Sequence, residues 1–196
     1  MKLMLFSMAL ILSVGFVMGG RVSGLSALKI RWTGLAIVGL ALQFVTGPGD
    51  TVPLVTLYVS FVLLSVFALK NIRIAGFPLI VLGVAMNFLV IGANQGMPVS
   101  RAALEGSGQG ELLGDLMNNP YPKHHLAGDS DVVVFLGDVI GVPAPVRQAI
   151  SIGDIFTYAG VGVVIVSAMR KPVARREESL EETVGVAQDG SLATGG

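Results

Sequence analysis

Apolar residues fall into five blocks joined by short polar or glycine-rich links, and one long polar stretch interrupts the series before the last block. The blocks run from about Leu3 to Met18, Trp32 to Thr46, Val52 to Leu69, Ile74 to Ala93 and Ile155 to Met169. A spanning helix needs roughly 20 mostly apolar residues, about 17 at the least. The third and fourth blocks meet this. The second and fifth reach it only if flanking residues join, for example Leu28 to Arg31 with the basic groups snorkelling to the interface. The first block carries only Lys2 ahead of it and ends in Val17-Met18-Gly19-Gly20, a poor cleavage site, so a retained helix is expected. The pattern predicts an all-α integral membrane protein. Its membrane domain, residues 1–171, is a bundle of about five transmembrane helices with a long, partly ordered extracytoplasmic loop at 94–151.

Composition sharpens that reading. Of 196 residues, 53% are hydrophobic and 13% charged, against about a quarter charged in soluble domains. A formal net charge of +0 leaves no basic footprint for nucleic acid. Cysteine is absent, which excludes disulfides, thiolate metal sites and cysteine nucleophiles. The glycine count of 26 suits helices that approach one another closely. Lys and Arg set the orientation. Arg21, Lys29, Arg31, Lys70, Arg73, Arg170, Lys171, Arg175 and Arg176 lie on one side of the alternating blocks, and Lys2, Arg101, Lys123 and Arg147 on the other. Nine against four places the first set in the cytoplasm and the N-terminus outside. Residues 172–196 are predicted to be a disordered cytoplasmic tail, since they hold too little apolar surface to offset ordering entropy.

The long loop and the blocks beside it carry the candidate chemistry. Asp154 stands at the mouth of the last block and Asp138 lies upstream in Phe135-Leu136-Gly137-Asp138-Val139-Ile140. A charge at the mouth of a membrane-length segment needs a partner or a task. Both are predicted to face the outside, as candidate catalytic residues. Asn87 shares a helix face with Gly83 and Asn94, and Tyr158 shares one with Asp154 and Gly162, so the two polar stripes are expected to face each other. Asn87, Asn94, Lys123, His124 and Tyr158 are the candidate binding residues. His124 and His125 with Asp129 or Asp131 are weak evidence for a metal, and neither a metal nor a cofactor is predicted. The stretch Val132 to Leu136 is β-prone and is expected to pack on the helix ends, whereas about Glu105 to Asn119 is expected to be mobile.

Several of these residues together resemble an uncharacterised family of small bacterial membrane proteins: Met86-Asn87, Asn94-x-Gly96-x-Pro98-Val99-Ser100, Lys123-His124, Phe135 to Ile140, and Ser151-Ile152-Gly153-Asp154. The resemblance covers nearly all the chain except the tail. It implies a multi-pass protein of the bacterial cytoplasmic membrane and brings no activity with it. Fainter is a likeness to signal peptidase II, a membrane aspartyl protease. Asn94-Gln95-Gly96, Gly137-Asp138-Val139-Ile140 and Ser151-Ile152-Gly153-Asp154 resemble its three motifs in order. Its Gly-Asn-x-x-Asp-Arg motif has no counterpart here.

Three functions follow from these features. The first is a non-catalytic scaffold, accessory or sensor protein with a polar site at the outer membrane face, its aspartates capping helices or pairing with Lys123 or Arg147. The second is an aspartyl hydrolase or peptidase with Asp138 and Asp154 as a dyad, one accepting and one donating a proton. A small transporter is the third, weakened because no block carries an ionisable residue at mid-depth. The expected partners are the lipid bilayer and another membrane protein or a lipid-linked substrate. Nucleotide-dependent, zincin and serine-hydrolase motifs do not occur in a usable context.

Overall fold

The computed structural model describes residues 2–45, 51–118 and 123–171; the tail expected at 172–196 lies outside them. Among the described residues the bundle helices are α1 (Lys2–Val17), α2 (Thr33–Leu42), α3 (Thr51–Lys70), α4 (Phe77–Asn94) and α7 (Ile152–Met169). They pack side by side in the order α1, α7, α4, α3, α2. Three stretches, Val52–Lys70, Phe77–Asn94 and Ile152–Met169, are long and apolar enough to cross a membrane. At 16 and 10 residues, α1 and α2 are shorter. Side chains such as Ile37, Val62 and Leu89 point away from the protein, as expected of helices whose surroundings are as apolar as their packing partners.

Two helix starts differ from the hydropathy pattern. The last block was expected from Ile155, but α7 begins at Ile152 because Ser151 caps it. The fourth was expected from Ile74, yet α4 begins at Phe77, with Gly76 left-handed before it and Pro78 in its first turn. Proline suits that position because its missing N–H would be unpaired there in any case.

The closest packing in the bundle is between α4 and α7, which run antiparallel. Glycine makes it possible. Gly153 and Gly160 are seven residues apart on one face of α7, and they meet Gly83 of α4 and Gly76 just ahead of it. A methyl group on Gly76 would meet the Gly160 carbonyl, and one on Gly83 would meet the Gly153 carbonyl. Backbones this close gain dispersion contacts along two turns without any side chain between them.

Residues 95–118 and 123–151 form a cap over one end of the bundle, and most of this lies beyond the all-α expectation. Gln95, in the left-handed region, ends α4. The chain then enters β1 (Met97–Val99), α5 (Arg101–Gly106) and α6 (Leu112–Asn118). β2 (His124–Leu126) pairs parallel with β1, and β3 (Ile140–Val142) pairs antiparallel with β4 (Gln148–Ile150). The stretch expected to be mobile at 105–119 instead contains the end of α5 and α6. Leu104 and Leu116 are buried there in one cluster with Val99 and Ala149; residue 119 itself lies outside the described residues. The run expected to be β-prone is a 3-10 turn at Val134–Leu136, entered through a left-handed Val133. Leu136 packs down onto Val90 and Ile91 of α4.

Two asparagines clip irregular chain onto helices by imitating backbone. Asn94 donates to the Val132 carbonyl at 2.9 Å and accepts from the Val132 N–H at 2.8 Å. Asn71 does the same for Arg31 at the opposite end, both bonds at 2.9 Å.

The α4–α7 contact predicts a specific sensitivity. In Gly153→Ala the new methyl would strike the Asn87 side-chain oxygen and lie 2.7 Å from the Gly83 carbonyl. Backbone cannot yield there as a surface side chain can. A stability loss of about 1–3 kcal/mol is expected, read as a lower melting temperature in detergent. Gly92→Ala, whose methyl would meet nothing within 4 Å, is the matched control and should melt as the native protein does.

Candidate functional site

The site grows from the start of α7. Ser151 is fully buried, and its Oγ accepts from the Asp154 N–H at 2.9 Å while Asp154 Oδ2 accepts from the Ser151 N–H at 3.2 Å. This reciprocal capping box satisfies two N–H groups that the first turn leaves without helical partners. Asn87 of α4 closes the arrangement. Ser151 Oγ donates to its Oδ1, and its Nδ2 donates to Asp154 Oδ1, each at 2.8 Å. Both carboxylate oxygens of Asp154 are therefore engaged, and its charge lies at the positive end of α7.

Asp138 is held differently. Its N–H donates to the Pro98 carbonyl and its own carbonyl accepts from the Ser100 N–H, both at 3.0 Å. The residue thus extends β1 on the edge opposite β2. Gly137 permits this approach, because a side chain there would collide with the Pro98 carbonyl. Asp138 is only 8% exposed, and its nearest ion-pair partner is His124 Nε2 at 3.9 Å, beyond hydrogen-bond reach.

Both aspartates line a half-open cavity of about 270 Å3 between the cap and the bundle end. Asn87, Lys123, His124 and Tyr158 line it too, over apolar walls that include Leu3, Leu57 and Phe61. Of the seven residues expected to form a site, six therefore meet at one cavity. The seventh, Asn94, has its amide spent on Val132 and is not part of the wall. A larger groove of about 630 Å3 on the flank of α3 and α4 has no ionisable residue in its lining.

Lys123 takes a role that its sequence position does not reveal. Its Nζ donates to the Gln43 and Val45 carbonyls at 2.6 and 2.7 Å, just past the end of α2. A lysine there satisfies carbonyls left without helical partners and offsets the negative helix end. Lys123 pairs with neither aspartate. Arg147 instead reaches Glu111 at 3.1 Å and the Gly108 carbonyl.

The adjacent histidines diverge because neighbours on a strand point to opposite faces. His124 turns to the cavity and Asp138, while His125 Nε2 meets Asp131 Oδ1 at 2.9 Å. Among the described residues no three His, Asp or Glu side chains gather as a metal site.

Burial decides the charge states. Asp138 is pushed up to about 8, first by burial and then by the Asp154 charge across the cavity. His124 keeps half of its side chain exposed, and packing among protein atoms lowers its basicity against the opposing pull of Asp154. The Lys123 pKa is also lowered by burial. At pH 7 the Asp138–His124 couple is consequently neutral: a protonated acid facing an unprotonated imidazole.

Sequence reasoning did not reach Ser151 as a cavity-end hydrogen-bonding group, although Ser-x-x-Asp before an apolar run is a legible capping box. Gln43 and Gln148 also line the cavity, and no local signal marks either.

These features define a class: a mostly helical protein with three helices long and apolar enough to cross a membrane, and a polar cavity under an ordered cap. The chain belongs to the family of unknown function DUF5317, whose model matches residues 27–166. No curated protein and no solved structure matches it.

The raised Asp138 pKa sets the sign of a pH dependence. The folded state holds that proton more tightly than the unfolded chain, whose carboxyl ionises near 3.8. Asp138 therefore lowers stability progressively as pH rises from about 4 to about 8, by an amount on the order of a few kcal/mol. Asp138→Asn should remove this loss. Its melting temperature should exceed that of the native protein at about pH 8 and converge with it toward about pH 4. Parallel melting curves across that range would contradict the assignment.

Proposed function

We propose that this protein is a non-catalytic membrane protein, a sensor or accessory component, whose cavity at the outer membrane face receives a small ligand group. One observation carries the reading: Asp138 is a buried carboxyl without a hydrogen-bond partner among the described residues, turned to a cavity that joins polar groups to apolar walls. A buried acid is costly to maintain, and the fold gains no cap from this one. Asp154, by contrast, has both oxygens committed to Asn87 and Ser151. A dyad needs a carboxylate free to accept a proton from attacking water, so the engagement of Asp154 favours binding over hydrolysis.

The hydrolase reading keeps one supporting observation. The two carboxyl groups stand in unequal surroundings, Asp138 pushed up by burial and Asp154 hydrogen-bonded at a helix start, and carboxyl pairs that perform acid–base work are likewise unequal. The two readings separate in what leaves the cavity. Protein extracted mildly from its own membrane and examined by native mass spectrometry should carry a small molecule that is absent from Asp138→Asn, released with the same mass as in the membrane extract. Release as cleavage fragments would establish the hydrolase instead.

Five membrane crossings with the N-terminus outside complete the reading. The helices support it by alternating. The start of α1, the end of α2, the start of α3, the end of α4 and the start of α7 all lie at the cap end. The basic residues Lys29, Arg31, Lys70, Arg73 and Arg170 cluster toward the other end, as expected for the cytoplasmic side. Without native cysteines, single replacements are clean reporters. Ser130→Cys, exposed in the cap, should react with an impermeant maleimide on intact cells, and Ser26→Cys, exposed at the other end, only after permeabilisation. The reverse pattern would invert the orientation.

A further inference from the structure

Resting on that binding reading, we propose that Asp138 receives a primary ammonium group carried on a short apolar chain. The ammonium would sit in the polar cavity and the chain in the space beside it. A second cavity of about 240 Å3 adjoins the first, and His124, Asp138, Gln148 and Ala149 line both. Its remaining walls are chiefly apolar, from Val99 of β1, Leu104 of α5 and Leu112 and Leu116 of α6. The two spaces taken together are thus amphipathic, with the Asp138 carboxyl in the wall they share.

The sign of the ligand charge follows from what is already compensated. The ionisable groups facing this space are Lys123, His124, Asp154 and Tyr158, besides Asp138 itself. The Lys123 cation is taken by the end of α2 and the Asp154 anion by the start of α7 with Asn87. Neither leaves a strong demand for a counter-ion. Among the described residues Asp138, His124 and Tyr158 have no side-chain hydrogen-bond partner, and of the three only Asp138 is an acid whose proton a cation can replace; a small cation with several N–H donors meets its need. An anion in the same place would face two carboxyl groups. An ammonium ion would replace the Asp138 proton, so one proton is released for each ligand bound, and affinity rises with pH until the free carboxyl is ionised.

The test uses the full chain in nanodiscs of phosphatidylcholine, a lipid without a primary amine, with hexylammonium, hexanol and hexanoate as probes. Subtracting the response of Asp138→Asn removes simple partition into the bilayer. Calorimetric titration should show hexylammonium binding to the native protein but not to Asp138→Asn. Its affinity should rise about tenfold per pH unit below about pH 8 and level off above it. Hexanol or hexanoate binding as tightly as hexylammonium, or hexylammonium binding unchanged in Asp138→Asn, overturns the ammonium assignment and leaves the cavity a binding site. No probe binding, together with no co-purifying molecule, contradicts the binding reading as well.

Discussion

The contact between α4 and α7 is the constraint from which the rest of the structure follows. Gly76, Gly83, Gly153 and Gly160 bring the two backbones together, and that proximity sets Asn87 against the first turn of α7. Its amide then serves both Asp154 and Ser151, so a hydrogen-bond network and a packing contact reinforce each other at one place. Helices in an apolar medium gain little from burying apolar surface against one another; close packing and polar bonds hold them together. A larger residue at Gly153 would disturb both at once.

The cap depends on this junction. Its two strand pairs contain three residues per strand, too few to be stable alone. They are held by what they attach to: β1 follows the end of α4, β4 leads into α7, and Asp138 extends β1 on its free edge. With α4 and α7 fixed, both ends of the cap are fixed as well, and the cavity beneath acquires a defined shape. Lys123 adds a third attachment through the carbonyls that follow α2. The charges around the cavity fall into two kinds. Lys123 and Asp154 answer helix ends, and the buried Asp138 carboxyl answers none.

Much of the bundle was legible because hydropathy extends over many residues and survives local irregularity. The stripes of Asn87 on α4 and Asp154 on α7 were legible too, since helical spacing alone puts each on a face. The cap was not. A three-residue strand has almost no period to detect, and the partners of β1 lie at His124–Leu126 and Asp138, far along the chain. The glycine-rich stretch through Glu105 and Gly110 reads as loop, but Leu104 and Leu116 find a core only when β1 and β4 are in place. The same limit applies to roles. Asn94 is conspicuous beside Gly96 and Pro98, yet its amide clips Val132; Lys123 is an obvious partner for an aspartate, yet its ammonium meets backbone carbonyls. Local pattern identifies which side chains are polar, and distant chain decides what they meet.

The central claim is that Asp138 remains protonated in the folded protein at neutral pH, facing the cavity. Infrared difference spectroscopy of the protein in lipid nanodiscs, titrated with and without Asp138→Asn, measures this directly. The account predicts a carboxylic-acid carbonyl band that belongs to Asp138, persists at pH 7 and disappears with a midpoint near the value of about 8 set by burial and the Asp154 charge. A band lost near pH 4, in the ordinary carboxyl range, would mean that Asp138 is solvated or paired, and would contradict the account.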